Sequence, residues 1–129
     1  MSEKIVKNWM IIAEYDLKTA KHMYKSRRYL YVAFTCQQAI EKILKAIYVK
    51  ENNKTPPYTH NLIKLINLTS IASMIKESEL TFVELLNSYY LESRYTETIK
   101  ELFKSLTKKR SFEILRKTRS LFKWLKRKI

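Results

Sequence analysis

A chain of 129 residues, 46% hydrophobic and 29% charged, is long enough to bury one core without metal or disulfide support, and its formal charge of +14 points toward anionic partners. Glycine is absent and the two prolines, Pro56 and Pro57, are adjacent, so hairpin turns and Gly-rich phosphate loops are excluded and the sequence reads as all-α. The lone Cys36 forms no internal disulfide, the start Met1-Ser2-Glu3-Lys4 is polar, and no apolar run approaches the roughly 20 residues of a membrane span, so a cytoplasmic protein without membrane contact is expected.

In chain order, the first helical segment runs from about Glu3 to Lys25. Ile5, Trp9, Ile12, Asp16, Ala20 and Met23 recur on it at spacings of three and four and predict one face. Asp16 interrupts that face, and a carboxylate there calls for a cation from a neighbouring helix. Ser26-Arg27-Arg28-Tyr29 breaks the pattern. A second helix, about Tyr31 to Lys50, carries Ala33, Gln37, Ile40, Leu44 and Ile47 on one stripe and Phe34, Gln38, Glu41, Lys45 and Tyr48 on the next. Gln37 and Gln38 therefore sit where core residues belong, and each must bridge, cap or bind, because an unpartnered buried amide costs about 1 to 3 kcal/mol. Cys36 lies between the stripes with no histidine near it in sequence, which predicts an inert, partly buried thiol.

The Pro56-Pro57 pair enforces an extended connection. Thr59 or Asn61 starts a third helix with Leu62, Leu65, Ile66, Leu68 and Ile71 on its apolar face. Ser78 starts a fourth with Phe82, Leu85, Leu86 and Tyr89. Ser93-Arg94-Tyr95-Thr96-Glu97 reads as a break before a long basic helix, on which Ile114, Leu115, Thr118, Leu121, Phe122, Leu125 and Ile129 form the apolar side. No linker divides the five segments, so residues 1–129 are expected to form a single domain, an up-and-down four-helix bundle with a fifth, C-terminal, basic amphipathic helix.

From Lys100 onward twelve basic residues face only Glu101 and Glu113, so this stretch carries +10 of the +14. Clustered Lys and Arg gain from counterion release on nucleic acid, and equally describe a solvated helix face. The two histidines, His22 and His60, have no metal-ligand spacing to other His, Cys or carboxylate residues, so neither a metal nor a cofactor is expected.

The segments Ala13-Glu14-Tyr15-Asp16-Leu17-Lys18-Thr19-Ala20, Ala33-Phe34-Thr35-Cys36-Gln37-Gln38-Ala39-Ile40-Glu41-Lys42-Ile43-Leu44-Lys45-Ala46, Thr59-His60-Asn61-Leu62 and Arg94-Tyr95 together resemble the HEPN family (higher eukaryotes and prokaryotes nucleotide-binding). The second of these is the most specific. The resemblance covers nearly the whole chain and implies a helical bundle, commonly a homodimer, often encoded with a small nucleotidyltransferase in toxin-antitoxin type systems. A branch of the family consists of metal-independent ribonucleases carrying Arg, four to six residues, then His near the start of the last helix. This sequence departs from that pattern: no arginine lies in the six residues before His60 or anywhere before His22, and no histidine follows Arg94. The related arginine and tyrosine version fails too, since Tyr95 is adjacent to Arg94 and is the last tyrosine.

A non-catalytic nucleotide- or partner-binding module is therefore expected, working with a separate nucleotidyltransferase. Its ligand-binding candidates are Gln38, Lys42, Lys45, His60, Arg94 and Tyr95, with Asp16, Gln37 and Glu41 as structural polar residues. Arg94 can grip phosphate, Lys42 and Lys45 add charge, and Tyr95 can stack on a base. Each has a structural reading as well: Arg94 pairing with Asp16 or Glu41, Tyr95 in the core, His60 capping the third helix, and Glu41 with Lys45 as an ordinary i,i+4 pair. Two alternatives stand beside this reading, a nucleic-acid-binding protein acting through the basic last helix and an atypical metal-independent ribonuclease. An anionic ligand is expected near the Arg94-Tyr95 turn rather than along the last helix, because only there do cations meet amides and an aromatic ring.

Overall fold

The structure, a computed structural model, describes residues 2–92 and 94–129, with the Thr96 side chain excepted; Met1 and Ser93, the latter opening the expected break, lie outside the described residues. Among the described residues six α-helices follow one another: α1 (Ser2–Lys25), α2 (Tyr29–Asn52), α3 (Leu62–Asn67), α4 (Glu77–Glu92), α5 (Ile99–Ser105) and α6 (Lys108–Lys126). Two 3-10 turns, Ser70–Ser73 and Thr96–Thr98, lie between them, and among the described residues there is no strand. The all-α expectation holds.

The axis of the molecule is α2, which packs against α1, α6, α4 and α3. Its sequence explains why: Val32, Ala33, Cys36, Ala39, Ile40, Ile43, Leu44, Ala46, Ile47 and Val49 are all buried, so small or apolar side chains occur on every side of the helix and neighbours close around it. Fully burying each Ile, Leu or Val contributes about 1.5 to 3 kcal/mol relative to exposure. The core continues through Leu62, Leu65 and Ile66 of α3, Val83 and Leu86 of α4, and Ile114, Leu121 and Leu125 of α6.

Helix α1 differs in part from its expected register. Val6, Ala13 and Ala20 are buried and Met10, Leu17 and Tyr24 pack beside them, whereas Ile5 and Ile12 are exposed. Trp9, Ala20 and Met23 of the expected face do pack inward, so the packing side is shifted in part, toward Val6, Ala13 and Leu17. Apolar residues occur around much of α1, and alanines that allow close approach to α2 decide which side turns inward.

With no glycine available, helix ends use other residues in the left-handed region. Asn53 (φ 51°) ends α2, its N–H donating to the Val49 carbonyl. Arg27 (φ 62°) ends α1, where the Arg28 N–H donates to Met23 and the Arg27 N–H to Tyr24, the paired bonds of a Schellman ending. Asn tolerates this conformation; Arg does so at a cost on the order of 1 kcal/mol.

The connection after Pro56-Pro57 delivers Asn61 as the N-cap of α3, its side chain accepting from the Ile63 and Lys64 N–H groups. Helix α3 is short, so Ile71 reaches the core from the following 3-10 turn while Leu68 is exposed. The basic C-terminal stretch is two helices rather than one. Leu106 and Thr107 interrupt it, and Thr107 caps α6 by accepting from the Arg110 N–H. Ile114, Leu115, Thr118, Leu121, Phe122 and Leu125 then face the core as the spacing predicts.

Candidate functional site

A continuous polar seam runs through the interior between α1, α2 and the connection to α3. It begins at Asp16, whose Oδ2 accepts from Lys42 Nζ at 3.2 Å. Lys42 Nζ donates in turn to Gln38 Oε1 at 3.0 Å, and Gln38 Nε2 donates to Gln37 Oε1 at 2.7 Å. Gln37, fully buried, donates from Nε2 to the His60 carbonyl at 2.9 Å and, at 3.5 Å, to Glu41 Oε1. The two amides are thus bridges, which answers the demand that buried amides find partners.

Glu41 is 1% exposed and carries two partners: Lys45 Nζ donates to Oε2 at 3.1 Å and His60 Nδ1 meets Oε1 at 2.8 Å. The sequence reading of Glu41 and Lys45 as an ordinary i,i+4 pair needs correction. Both are buried, Lys45 lies over the Trp9 ring at 5.5 Å, and removing one partner strands a charge at a cost of about 3 to 5 kcal/mol. Two carboxylates and two ammonium groups cancel along the seam, so Lys42 and Lys45 direct their charge inward.

The seam surfaces at His60, whose side chain is 39% exposed. Its Nδ1 faces the Glu41 carboxylate, and Nε2 has no partner among the described residues. His60 does not cap α3; Asn61 does. The His60 ring packs against Tyr90 at 5.1 Å and Tyr58 at 5.9 Å, and Tyr58 is almost fully exposed. Phe34 stacks on Tyr90 at 5.4 Å, with an interplanar angle of 18°. Just past the end of α4, four residues beyond Tyr90, Arg94 lies over the same ring at 5.4 Å and donates from Nη1 to the Tyr90 hydroxyl at 3.2 Å. Burial raises the Tyr90 hydroxyl above the usual phenol range, with the Arg94 guanidinium opposing the shift, so the group is protonated at neutral pH and accepts from Arg94.

Arg94 therefore pairs with neither Asp16 nor Glu41, both of which are taken by Lys42, Lys45 and His60. Tyr95 stands apart: it precedes the Thr96–Thr98 turn, is 60% exposed, and its ring contacts no aromatic partner among the described residues. Of the six ligand-binding candidates, Gln38, Lys42, Lys45 and His60 belong to one network, and Arg94 joins it through Tyr90. Tyr90 itself escaped the sequence reading. The signal was present as Tyr at i and Arg at i+4 where a helix ends, a spacing that places them side by side. Cys36 is fully buried, and burial pushes its thiol up to about 12, with the Thr118 hydroxyl a weaker opposing influence. A buried, protonated thiol is what an inert cysteine requires. Among the described residues no group of three His, Cys, Asp or Glu could hold a metal ion, and no helix is long and apolar enough to cross a membrane.

The fold and site define a class: an α2-centred helical protein with a buried polar seam that opens at a histidine, a tyrosine and an arginine. The family model for the HEPN domain matches residues 6–128, and the chain belongs to that family. Membership places it among nucleotide-related helical modules. The crystal structure of TT1696 from Thermus thermophilus is similar in fold, with a TM-score of 0.82 at 19% identity over 96% of this chain and 98% of that one. A comparison with curated proteins returned no match.

Proposed function

We propose that the chain is a non-catalytic, single-domain nucleotide-binding module whose site is the surface opening at His60, Tyr90 and Arg94. Arg94 supplies a forked donor for phosphate, His60 Nε2 a second polar contact, and the exposed Tyr58 ring a stacking surface beside His60. Gln38, Lys42 and Lys45 act from behind, holding Gln37 and Glu41 and through them the His60 ring. The observation that carries this reading is the pair of contacts on Tyr90: His60 and Arg94, far apart in sequence, lie against one tyrosine ring at 5.1 and 5.4 Å. The module is proposed to be cytoplasmic and homodimeric, and to work with a separate small nucleotidyltransferase in a toxin-antitoxin type system.

Calorimetric titration with adenosine and guanosine mono- and triphosphates tests the site. Arg94→Ala and His60→Ala each weaken binding by about tenfold, equivalent to about 1.4 kcal/mol. Lys42→Ala acts less on affinity than on melting temperature. Unchanged affinity in both Arg94→Ala and His60→Ala removes the site assignment.

The placement of His60 and Arg94 against one tyrosine ring favours one second reading, an atypical metal-independent ribonuclease. The histidine-carboxylate arrangement is a general base in form, and the absence of the Arg-x4-6-His spacing in the sequence does not keep the two residues from sharing that ring. The binding reading expects labelled single-stranded RNA to stay intact in chelator. Cleavage abolished by Arg94→Ala reverses the choice.

A further inference from the structure

A groove of about 630 Å³ opens between the start of α4 and α6. One wall is set by helical spacing: Arg116, Lys123 and Arg127 recur at intervals of seven and four and form one edge about 16 Å long at 1.5 Å per residue. Lys117 adds to this edge and Lys76 stands on the opposite wall, whereas Glu79 is the one acidic side chain lining the groove. These five cations form no salt bridge among the described residues; on α6 only Lys126 does, with Glu14 outside the groove.

The groove floor is apolar and aromatic. Phe82 and Leu121 form it, with Lys117 Nζ 5.9 Å from the Phe82 ring centroid. Half-buried Trp124 lines the groove beside them, and Lys128 Nζ lies 4.9 Å from its ring centroid. Unpaired cations along an edge and an indole within reach of the same groove are the two elements that single-stranded nucleic acid requires: charge for successive phosphates and a ring for an unstacked base. A solvated helix face would need the charges but not the trough or the indole. An acidic peptide would answer the charges but leave Trp124 without a flat partner.

We infer that the α4/α6 groove is a binding site for single-stranded nucleic acid, with phosphates along Arg116, Lys123 and Arg127 and a base against Trp124. The inference is independent of the mononucleotide site at His60 and Arg94, which lies on different residues.

Fluorescence anisotropy with labelled oligouridylate and oligothymidylate of about ten nucleotides tests it, with a duplex of equal length as competitor. The triple variant Arg116→Ala, Lys123→Ala, Arg127→Ala is expected to lose at least about tenfold in affinity, and the slope of log affinity against log salt to shrink by about 2. All three side chains are exposed, so circular dichroism is expected to be unchanged. A charge-matched control, Lys18→Ala, Lys21→Ala, Lys25→Ala, removes three exposed cations that line a separate cleft against α1 and is expected to retain most of the affinity. Trp124→Leu keeps an apolar contact but loses the ring, and is expected to weaken single strands more than duplex. Absence of binding by the unmodified protein, equal loss in the two triple variants, or full single-strand affinity in Trp124→Leu would each overturn the inference.

Discussion

Glu41 shows how much one residue's surroundings can change its meaning. In isolation, a glutamate four residues before a lysine on a helix is a solvent-facing pair worth about 0.2 to 0.5 kcal/mol. At 1% exposure, and with His60 on its second oxygen, the same glutamate organises the interior end of the candidate site. Cys36 carries the prediction at this scale. Its thiol is raised from 9.0 to about 12 by burial, so the folded chain holds that proton more tightly than the unfolded chain does. The resulting stabilisation is fully present below pH 9 and is lost as pH rises from about 9 to 12. Two measurements check this. A chromogenic disulfide reagent at pH 8 is expected to leave Cys36 unmodified in the native protein and to modify it fully in denaturant. The Cys36→Ala variant is expected to lose less stability than the parent chain between pH 9 and 11. Rapid native labelling would contradict the buried placement.

Helix α2 was legible as an element because its two stripes, read from spacing alone, coincide with the residues that are buried or half-buried. Helix α1 was legible as a helix and, through Trp9, Ala20 and Met23, in part of its inward face; Ile5 and Ile12 suit that face by hydropathy, yet Val6 and Ala13 are buried in their stead. Side-chain volume at a close helix crossing decides that choice, and hydropathy does not encode volume. Helix ends supply a direct test. Arg27 holds φ of 62° at the end of α1, a conformation that costs an L-residue with a Cβ about 1 kcal/mol and glycine almost nothing. Arg27→Gly is therefore expected to raise the melting temperature by a few degrees, and Asn53→Gly by less, since Asn tolerates this region. Thermal denaturation followed by circular dichroism measures both. A drop in melting temperature for Arg27→Gly would show that the Schellman ending is not strained.

At the scale of the whole molecule the basic charge is unevenly placed. Lys42 and Lys45 are neutralised inside, whereas the α6 cations around Arg116 and Arg127 are left to solvent. An outward strip on α1, with Ile5, Ile11, Ile12 and Tyr15 all exposed, offers apolar area that the fold itself does not cover. The proposed homodimer uses such a self-complementary face. Light scattering across micromolar concentrations is expected to return twice the monomer mass, and Ile11→Asp with Tyr15→Asp to return the monomer without loss of helix signal. A monomer mass at every concentration for the unmodified protein removes the dimer from the proposal.

Helical class, the helix start near Asn61, the core side of α6 and the partner requirement of Asp16 and the two glutamines were decided by the sequence itself. Each depends on spacing within one helix or on the cost of burying a polar group, and both are local quantities. Which cation answers Asp16, the inward turn of Lys45, the partial shift in the packing side of α1, and the placement of His60 and Arg94 against Tyr90 were decided only by tertiary structure. Each joins groups on separate segments, through distances set by how alanines and isoleucines pack around α2, and no periodicity in one segment carries that information.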